Sequence, residues 1–237
     1  MIQDIHAHTY YSNCGRDKPE DVLEAVISGG VTQFGFCDHN YGITSLREKT
    51  GCSRALGIYR DHMALLQEKY VGRLRLFSGI ELATNSPLTC LPEGTTLERF
   101  DYCLIEHIDT PTPCASDLFS YAESLRCPRV GIAHTDLPGW LEAAGQDLSG
   151  YFRRMAEHGI FWEMNVNFDS IHGFREHPYV ARFFADERLQ GTVRESGLCL
   201  SVGFDGHRLE DYRPERVADC CARIEELGIP LVFAEKK

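Results

Sequence analysis

Short apolar runs alternate with amphipathic stretches along the whole chain, and this alternation limits the fold more than any other feature. Runs that read as strands occupy residues 2–6, 33–37, 74–82, 102–106, 129–133, 160–167 and 198–204. Stretches of helical character lie between or after them, at about 19–28, 57–70, 117–125, 141–158, 179–196 and 214–227. Strand and helix in turn is the pattern of βαβ units, which build parallel sheets. Pro19 in the first turn and Gly29-Gly30 past the last residue mark where the first helix starts and stops. Residues 40–56 read as a loop, 85–99 as a Pro-, Thr- and Gly-rich excursion, and 229–233 as the segment for a terminal strand. No repeat, linker or low-complexity segment divides the 237 residues, so one domain over residues 1–237 is expected. Seven strand–helix units imply a barrel, in which chemistry gathers at the C-terminal strand ends.

Six of the seven strand ends carry metal-binding side chains. His6 and His8 follow the first strand, Asp38-His39 the second, and Glu81 closes the third. His107, His134 and the Asp205-Gly206-His207 segment follow the fourth, fifth and seventh. Residues two apart on a strand point the same way, so His6 and His8 can share one ion, as can Asp205 and His207. Imidazoles with carboxylates suit zinc, iron or manganese. An isolated His-x-His is weak evidence, because histidines also hydrogen-bond loops. Six independent strand ends with suitable residue types are a much stronger signal.

Charge and cysteine usage narrow the rest. The formal net charge is −11 and no lysine/arginine run occurs, which disfavours a long nucleic acid as substrate. Ten cysteines are scattered without a C-x-x-C pair, and Met1-Ile2-Gln3-Asp4 lacks the basic and apolar regions of a signal peptide. No run approaches the ~18 apolar residues that a membrane span needs. Free thiols in a cytoplasmic protein are expected. No G-x-S-x-G elbow or Walker-type loop offers other catalytic machinery.

The ordered segments Asp4-x-His6-x-His8-Thr9, Cys37-Asp38-His39-Asn40, Gly79-Ile80-Glu81, His107, Ala133-His134-Thr135 and Ser201–Arg208 resemble the motifs of the PHP (polymerase and histidinol phosphatase) family. The resemblance runs from residue 4 to about residue 212. It implies an α/β fold, a distorted seven-stranded (β/α)7 barrel, holding two or three divalent metal ions that hydrolyse phosphate esters. Carried over position by position, it places His6, His8, Glu81 and Asp205 on a first ion. Glu81 would bridge to a second ion held by His107 and His134, and His39 and His207 would hold a third. Family members supply a further histidine or aspartate after the first strand, where this chain has Cys14 and Asn13. The third position is therefore thiolate-modified, weak or empty.

Asp4 and Asp38 are expected to accept an N–H from a metal-bound imidazole and steady its ring. Glu81, Asp205 and Arg208 are the candidate catalytic residues, Arg208 because a guanidinium can fork onto a phosphate. Arg16, Arg175, His172 and His177 are weaker candidates for substrate contact, while His62, His158 and Cys220-Cys221 read as packing or surface residues. The expected activity is hydrolysis of a small phosphomonoester, with histidinol phosphate the first substrate to try. The alternatives are a phosphodiesterase or nuclease acting on nucleotides or short oligonucleotides, and a non-catalytic protein that binds metal or a phosphorylated ligand.

Overall fold

Nearly every strand residue is buried, as happens when parallel strands are covered on both faces. The computed structural model describes residues 1–44, 52–86, 91, 94–110, 117–168 and 175–234. Within these lie the strands β1 (Gln3–Asp4), β2 (Gln33–Phe36), β3 (Arg75–Ser78), β4 (Glu81–Ala83), β5 (Cys103–Glu106), β6 (Val130–Ile132), β7 (Ile160–Asn165) and β8 (Leu200–Gly203). They form two parallel sheets, β1-β2-β3 and β4-β5-β6-β7-β8, each in chain order. The fold is α/β with parallel sheets.

The run 74–82, expected as one strand, is divided. β3 pairs with β2 and β4 pairs with β5, leaving Gly79 and Ile80 between them. Tyr102 explains the break. Its ring lies where a Cβ on Gly79 would stand, 2.2 Å from the nearest ring atom, and it also crowds Gly35. Its hydroxyl donates to the carbonyls of Ile5 (2.6 Å) and Phe36 (3.1 Å), tying three strand ends to one side chain. The sheets meet along both edges. The Ile5 N–H donates to the Val202 carbonyl and Ala7 bridges Gly206 on one side; the Glu81 N–H donates to the Asp38 carbonyl and His39 bridges Glu81 on the other.

The helices are α1 (Pro19–Ser28), α2 (Asn40–Thr44), α3 (Cys52–Lys69), α4 (Leu118–Leu125), α5 (Leu137–Ala143), α6 (Leu148–Glu157), α7 (Pro178–Ala185), α8 (Glu187–Ser196) and α9 (Pro214–Glu226). Asp117, Asp136, Asp147 and Asp186 cap α4, α5, α6 and α8 by accepting backbone N–H groups of the first turn. The helical segments expected over 141–158 are two helices, and the single helix expected over 179–196 is split in two. Gly145, with φ of 64°, and the Asp147 cap separate α5 from α6, and Asp186 ends α7 while starting α8. The expected loop over 40–56 instead contains α2 and the start of α3; residues 45–51 lie outside the described residues. Gly57, expected to open a helix, sits inside α3 with open space where a Cβ would go. The segment 229–233 makes a single bridge, Leu231 to Leu200, rather than a strand.

Two apolar cores result. The larger lies between sheets and helices and takes Cys103 and Ile105 of β5 and Trp162 and Met164 of β7. The smaller lies on the opposite faces and takes Ile5, Phe77, Tyr102, Leu104, Ala133, Phe161 and Val232. Phe233 stacks on Phe77 with centroids 4.0 Å apart, so the chain end seals this inner core. The side-chain period of two therefore gives each strand one helix-facing and one inward-facing row.

Candidate metal centre

Beyond the apolar inner core, the same inward rows turn acidic. On β5 the row Tyr102, Leu104 continues to Glu106, and on β7 Phe161 is followed by Glu163. Glu81 begins β4, and Asp205 follows β8 with φ of 55°. Glu81, Glu106 and Glu163 are 1%, 6% and 0% exposed. Among the described residues, every ion pair that these four carboxylates make is with a histidine, none with lysine or arginine.

Glu81 stands at the centre. Its Oε1 is 3.3 Å from Nε2 of both His6 and His134, and its Oε2 is 3.4 Å from His8 Nε2 and 3.0 Å from His39 Nδ1. His6 Nε2 and His8 Nε2 face each other at 3.2 Å, and Asp205 Oδ1 lies 3.0 Å from His8 Nε2 and 3.5 Å from His6 Nε2. Tetrahedral ligands about 2.0–2.1 Å from zinc are separated by roughly 3.3 Å, which these spacings match. His39 Nδ1 and Glu81 Oε2, buried and 3.0 Å apart, form no aligned hydrogen bond among the described residues. The residues fit a cation.

The local field argues the same way. Burial opposes charge on His6, but Glu163, Asp205 and Glu81 outweigh it and hold its pKa well above the usual histidine value. His134, likewise buried, is pushed up to about 9, with Glu81 the main cause of the rise. Burial would raise the carboxyl pKa values of Glu81 and Asp205, yet neighbouring imidazoles keep both well below the ordinary range. A pocket that pulls protons onto ring nitrogens also attracts a metal cation to them.

Among the described residues, three groups have their donor atoms within 4.8 Å of one another: His6, His8 and Glu81; His39, Glu81 and Glu106; and His8, Cys14 and His207. His39 was expected beside His207 and Cys14, but its donor atom groups with Glu81 and Glu106. The seams explain the difference. His39 leaves β2 against Glu81, whereas His207 leaves β8 beside β1 and stacks on His8 with centroids 4.5 Å apart. Cys14 is exposed as a residue, but partial desolvation of its thiol, with Asp205 and Glu81 nearby, pushes its pKa up to about 12. His107, with φ of 61°, keeps 42% of its side chain exposed and brings Nε2 to 3.0 Å from Glu106 Oε2.

The supporting acids differ from expectation in how they act. Asp4 accepts the N–H groups of His6 (3.2 Å) and Phe204 (3.0 Å) and the Tyr212 hydroxyl (3.0 Å), clamping the exits of β1 and β8. Burial raises its pKa to about 7. Asp38 accepts from the backbone and hydroxyl groups of Thr9 and Ser12. It reaches an imidazole only through Ser12, whose Oγ is 3.2 Å from His8 Nδ1. The direct carboxylate–imidazole contact comes from Glu163. Its Oε1 is 2.7 Å from His6 Nδ1, and its Oε2 accepts the backbone N–H of His134 at 2.7 Å. Glu106 and Glu163 lie within β5 and β7, where the motifs at the strand exits do not reach. The signal was the inward row itself, Tyr102-x-Leu104-x-Glu106 and Phe161-x-Glu163-x-Asn165.

Arg208 is exposed and meets Glu210 at 3.5 Å. Arg16 and Arg175 are also exposed. His177 stacks on His134 with centroids 5.9 Å apart, which brings it to the edge of the centre; His172 lies outside the described residues. His62 meets the Tyr11 hydroxyl at 3.0 Å, His158 packs near Phe119, and Cys220 and Cys221 are buried in the helix-facing core. No described helix is long and apolar enough to cross a membrane.

No family model and no curated protein sequence matches this chain. Among solved structures, its fold is similar to that of histidinol phosphate phosphatase (HISK) from Lactococcus lactis subsp. lactis Il1403, complexed with zinc, L-histidinol and phosphate. The TM-score is 0.64 at 13% identity, covering 97% of this chain and 95% of that one. A Listeria monocytogenes structure described as a candidate histidinol phosphatase (hisK) aligns over 88% of this chain and 96% of that one, at 15% identity and a TM-score of 0.49. At this identity the similarity to the Lactococcus protein establishes a shared fold.

Proposed function

We propose that this chain is a metal-dependent phosphoesterase of the PHP type that hydrolyses a small phosphomonoester, histidinol phosphate being the first to try. The observation that carries the reading is the set of donor atoms from His6, His8, Glu81 and Asp205, brought 3.0–3.5 Å apart from three strand exits, with no lysine or arginine among the described residues paired to their carboxylates. The zinc, histidinol and phosphate of the structurally similar Lactococcus enzyme support it. The edge contacts between the sheets support one closed barrel and one domain, with β3 and β4 as a single interrupted strand, seven in all.

In this reading His6, His8, Glu81 and Asp205 would hold a first ion, and Glu81, His39 and His134 would hold a second. His8, Cys14 and His207 offer a third position. Bound ions of this kind lower the pKa of water and neutralise charge on phosphoryl oxygens. Glu163 keeps the Nδ1 proton on His6, which frees the Nε2 lone pair for an ion. The Asp4 and Asp38 networks fix the strand exits so that the donor atoms stay within bonding reach. Arg208, at the rim, is free to swing from Glu210 onto a phosphate. The net charge of −11 suits a small substrate better than a long polyanion. The free thiols at Cys14, Cys37, Cys103, Cys127, Cys199, Cys220 and Cys221 fit a reducing, cytoplasmic setting.

The test is a substrate panel run on apo protein reloaded with zinc, manganese or iron: histidinol phosphate, other small monoesters, an aryl phosphodiester and single-stranded DNA. Monoesters should be cleaved with the highest kcat/KM, and Glu81→Ala and Asp205→Ala should abolish turnover while remaining folded. Processive DNA degradation without monoesterase activity would reverse the substrate class. Full turnover by either folded variant would refute the centre.

A further inference from the structure

Resting on the metal-centre reading above, we propose that β5 supplies its ligand through the Glu106 carboxylate, and that His107 orients this carboxylate from outside instead of binding an ion. The second position is then built from Glu81, Glu106 and His39, with His134 beside it, and suits a harder ion than an imidazole-rich site would.

Four observations converge. The first is strand parity. Tyr102 and Leu104 lie in the inner core while Cys103 and Ile105 face the helices, so Glu106 continues the inward row. The second is burial: the Glu106 side chain is 8% exposed and that of His107 is 42% exposed. The third is donor geometry. Glu106 Oε1 lies 3.4 Å from His39 Nδ1 and Oε2 lies 3.8 Å from His134 Nε2, and the donor atoms of His39, Glu81 and Glu106 fall within 4.8 Å of one another. Two buried atoms in this group, His39 Nδ1 and Glu81 Oε2, face each other at 3.0 Å without forming an aligned hydrogen bond, as two ligands of one cation do.

The fourth is what His107 does. Its Nε2, the nitrogen at the tip of the ring, meets Glu106 Oε2 at 3.0 Å. With its proton on Nε2 the ring donates to that carboxylate, and this nitrogen then has no lone pair left for an ion. The backbone enforces this arrangement. With φ of 61°, His107 is in the left-handed region, which turns the chain sharply after Glu106. Thr84 holds the turn by donating its hydroxyl to the carbonyls of Glu106 (2.8 Å) and His107 (2.9 Å). Replacing a neutral imidazole with a second carboxylate adds negative charge and hard oxygen donors, which favours manganese over zinc at this position.

Manganese uptake by apo protein, counted from the paramagnetic resonance of unbound Mn(II), tests the assignment. Glu106→Gln should bind one equivalent fewer than wild type. His107→Ala should keep the full count and weaken that position by about 10–100-fold, the usual effect of losing an orienting contact. The reverse pattern, an equivalent lost in His107→Ala and kept in Glu106→Gln, overturns the proposal. A crystal of wild-type protein soaked in manganese reads it without any variant. A Glu106 oxygen within about 2.2 Å of an ion, with His107 Nε2 well beyond that distance, is the expected result. His107 at bonding distance, alone or together with Glu106, overturns it. Failure of wild type to bind manganese, zinc or iron would instead refute the metal centre as a whole.

Discussion

His6 Nδ1 lies 2.7 Å from Glu163 Oε1, and solvent reaches neither side chain. This contact determines which nitrogen of His6 faces the other donors. Glu163 spends its second oxygen on the His134 N–H, so one carboxylate steadies two candidate ligands. An amide cannot do both, because its nitrogen would confront a donor. Glu163→Gln is therefore expected to weaken metal binding by about 10–100-fold with the fold intact. Competition against a chromogenic chelator measures this, and wild-type affinity in the variant would show that the contact does not orient His6.

Gly203 makes that contact possible. A Cβ there would stand 2.0 Å from Glu163 Oε1 and 2.7 Å from His6 Cβ. Gly203→Ala should cost about 1–3 kcal/mol of stability, as overpacking does, and should lower metal content as well. Gly191 in α8 has open space around it, so Gly191→Ala should stabilise by ~0.5–1 kcal/mol. Urea melts of the two variants should move in opposite directions.

Metal removal should unfold the protein more easily. The native state alone gathers these donors, so an ion present at about 100 times its Kd adds roughly 2.7 kcal/mol. For a chain of this size that corresponds to a fall in Tm of about 5–10 °C on chelation. Scanning calorimetry with and without chelator gives the number. Coincident melts of metal-loaded and chelated protein would mean that the carboxylates need no cation to coexist.

Tyr102 separates fold from function. Tyr102→Phe keeps the ring between Gly35 and Gly79 but removes the donor to the Ile5 and Phe36 carbonyls. The expected loss is about 1–3 kcal/mol, with metal stoichiometry unchanged. A large drop in bound metal with little change in stability would assign Tyr102 to the centre instead.

The sequence by itself determined the parallel α/β character, the positions of most strands, and the gathering of His6, His8, His39, Glu81, His134, Asp205 and His207 at strand exits. These features are local: apolar runs, periodicity and turn residues report on a few neighbours at a time. The tertiary structure decided what depends on distant partners. Tyr102 divides one expected strand into β3 and β4, because its ring fills the space beside Gly79. The seams set His39 against Glu81 and His207 beside β1, with both rings stacked on His8. Glu106 and Glu163 join the centre because strand parity points them inward to where the imidazoles converge. Parity can be read along a strand, but which face is the interior is settled only when the sheets meet.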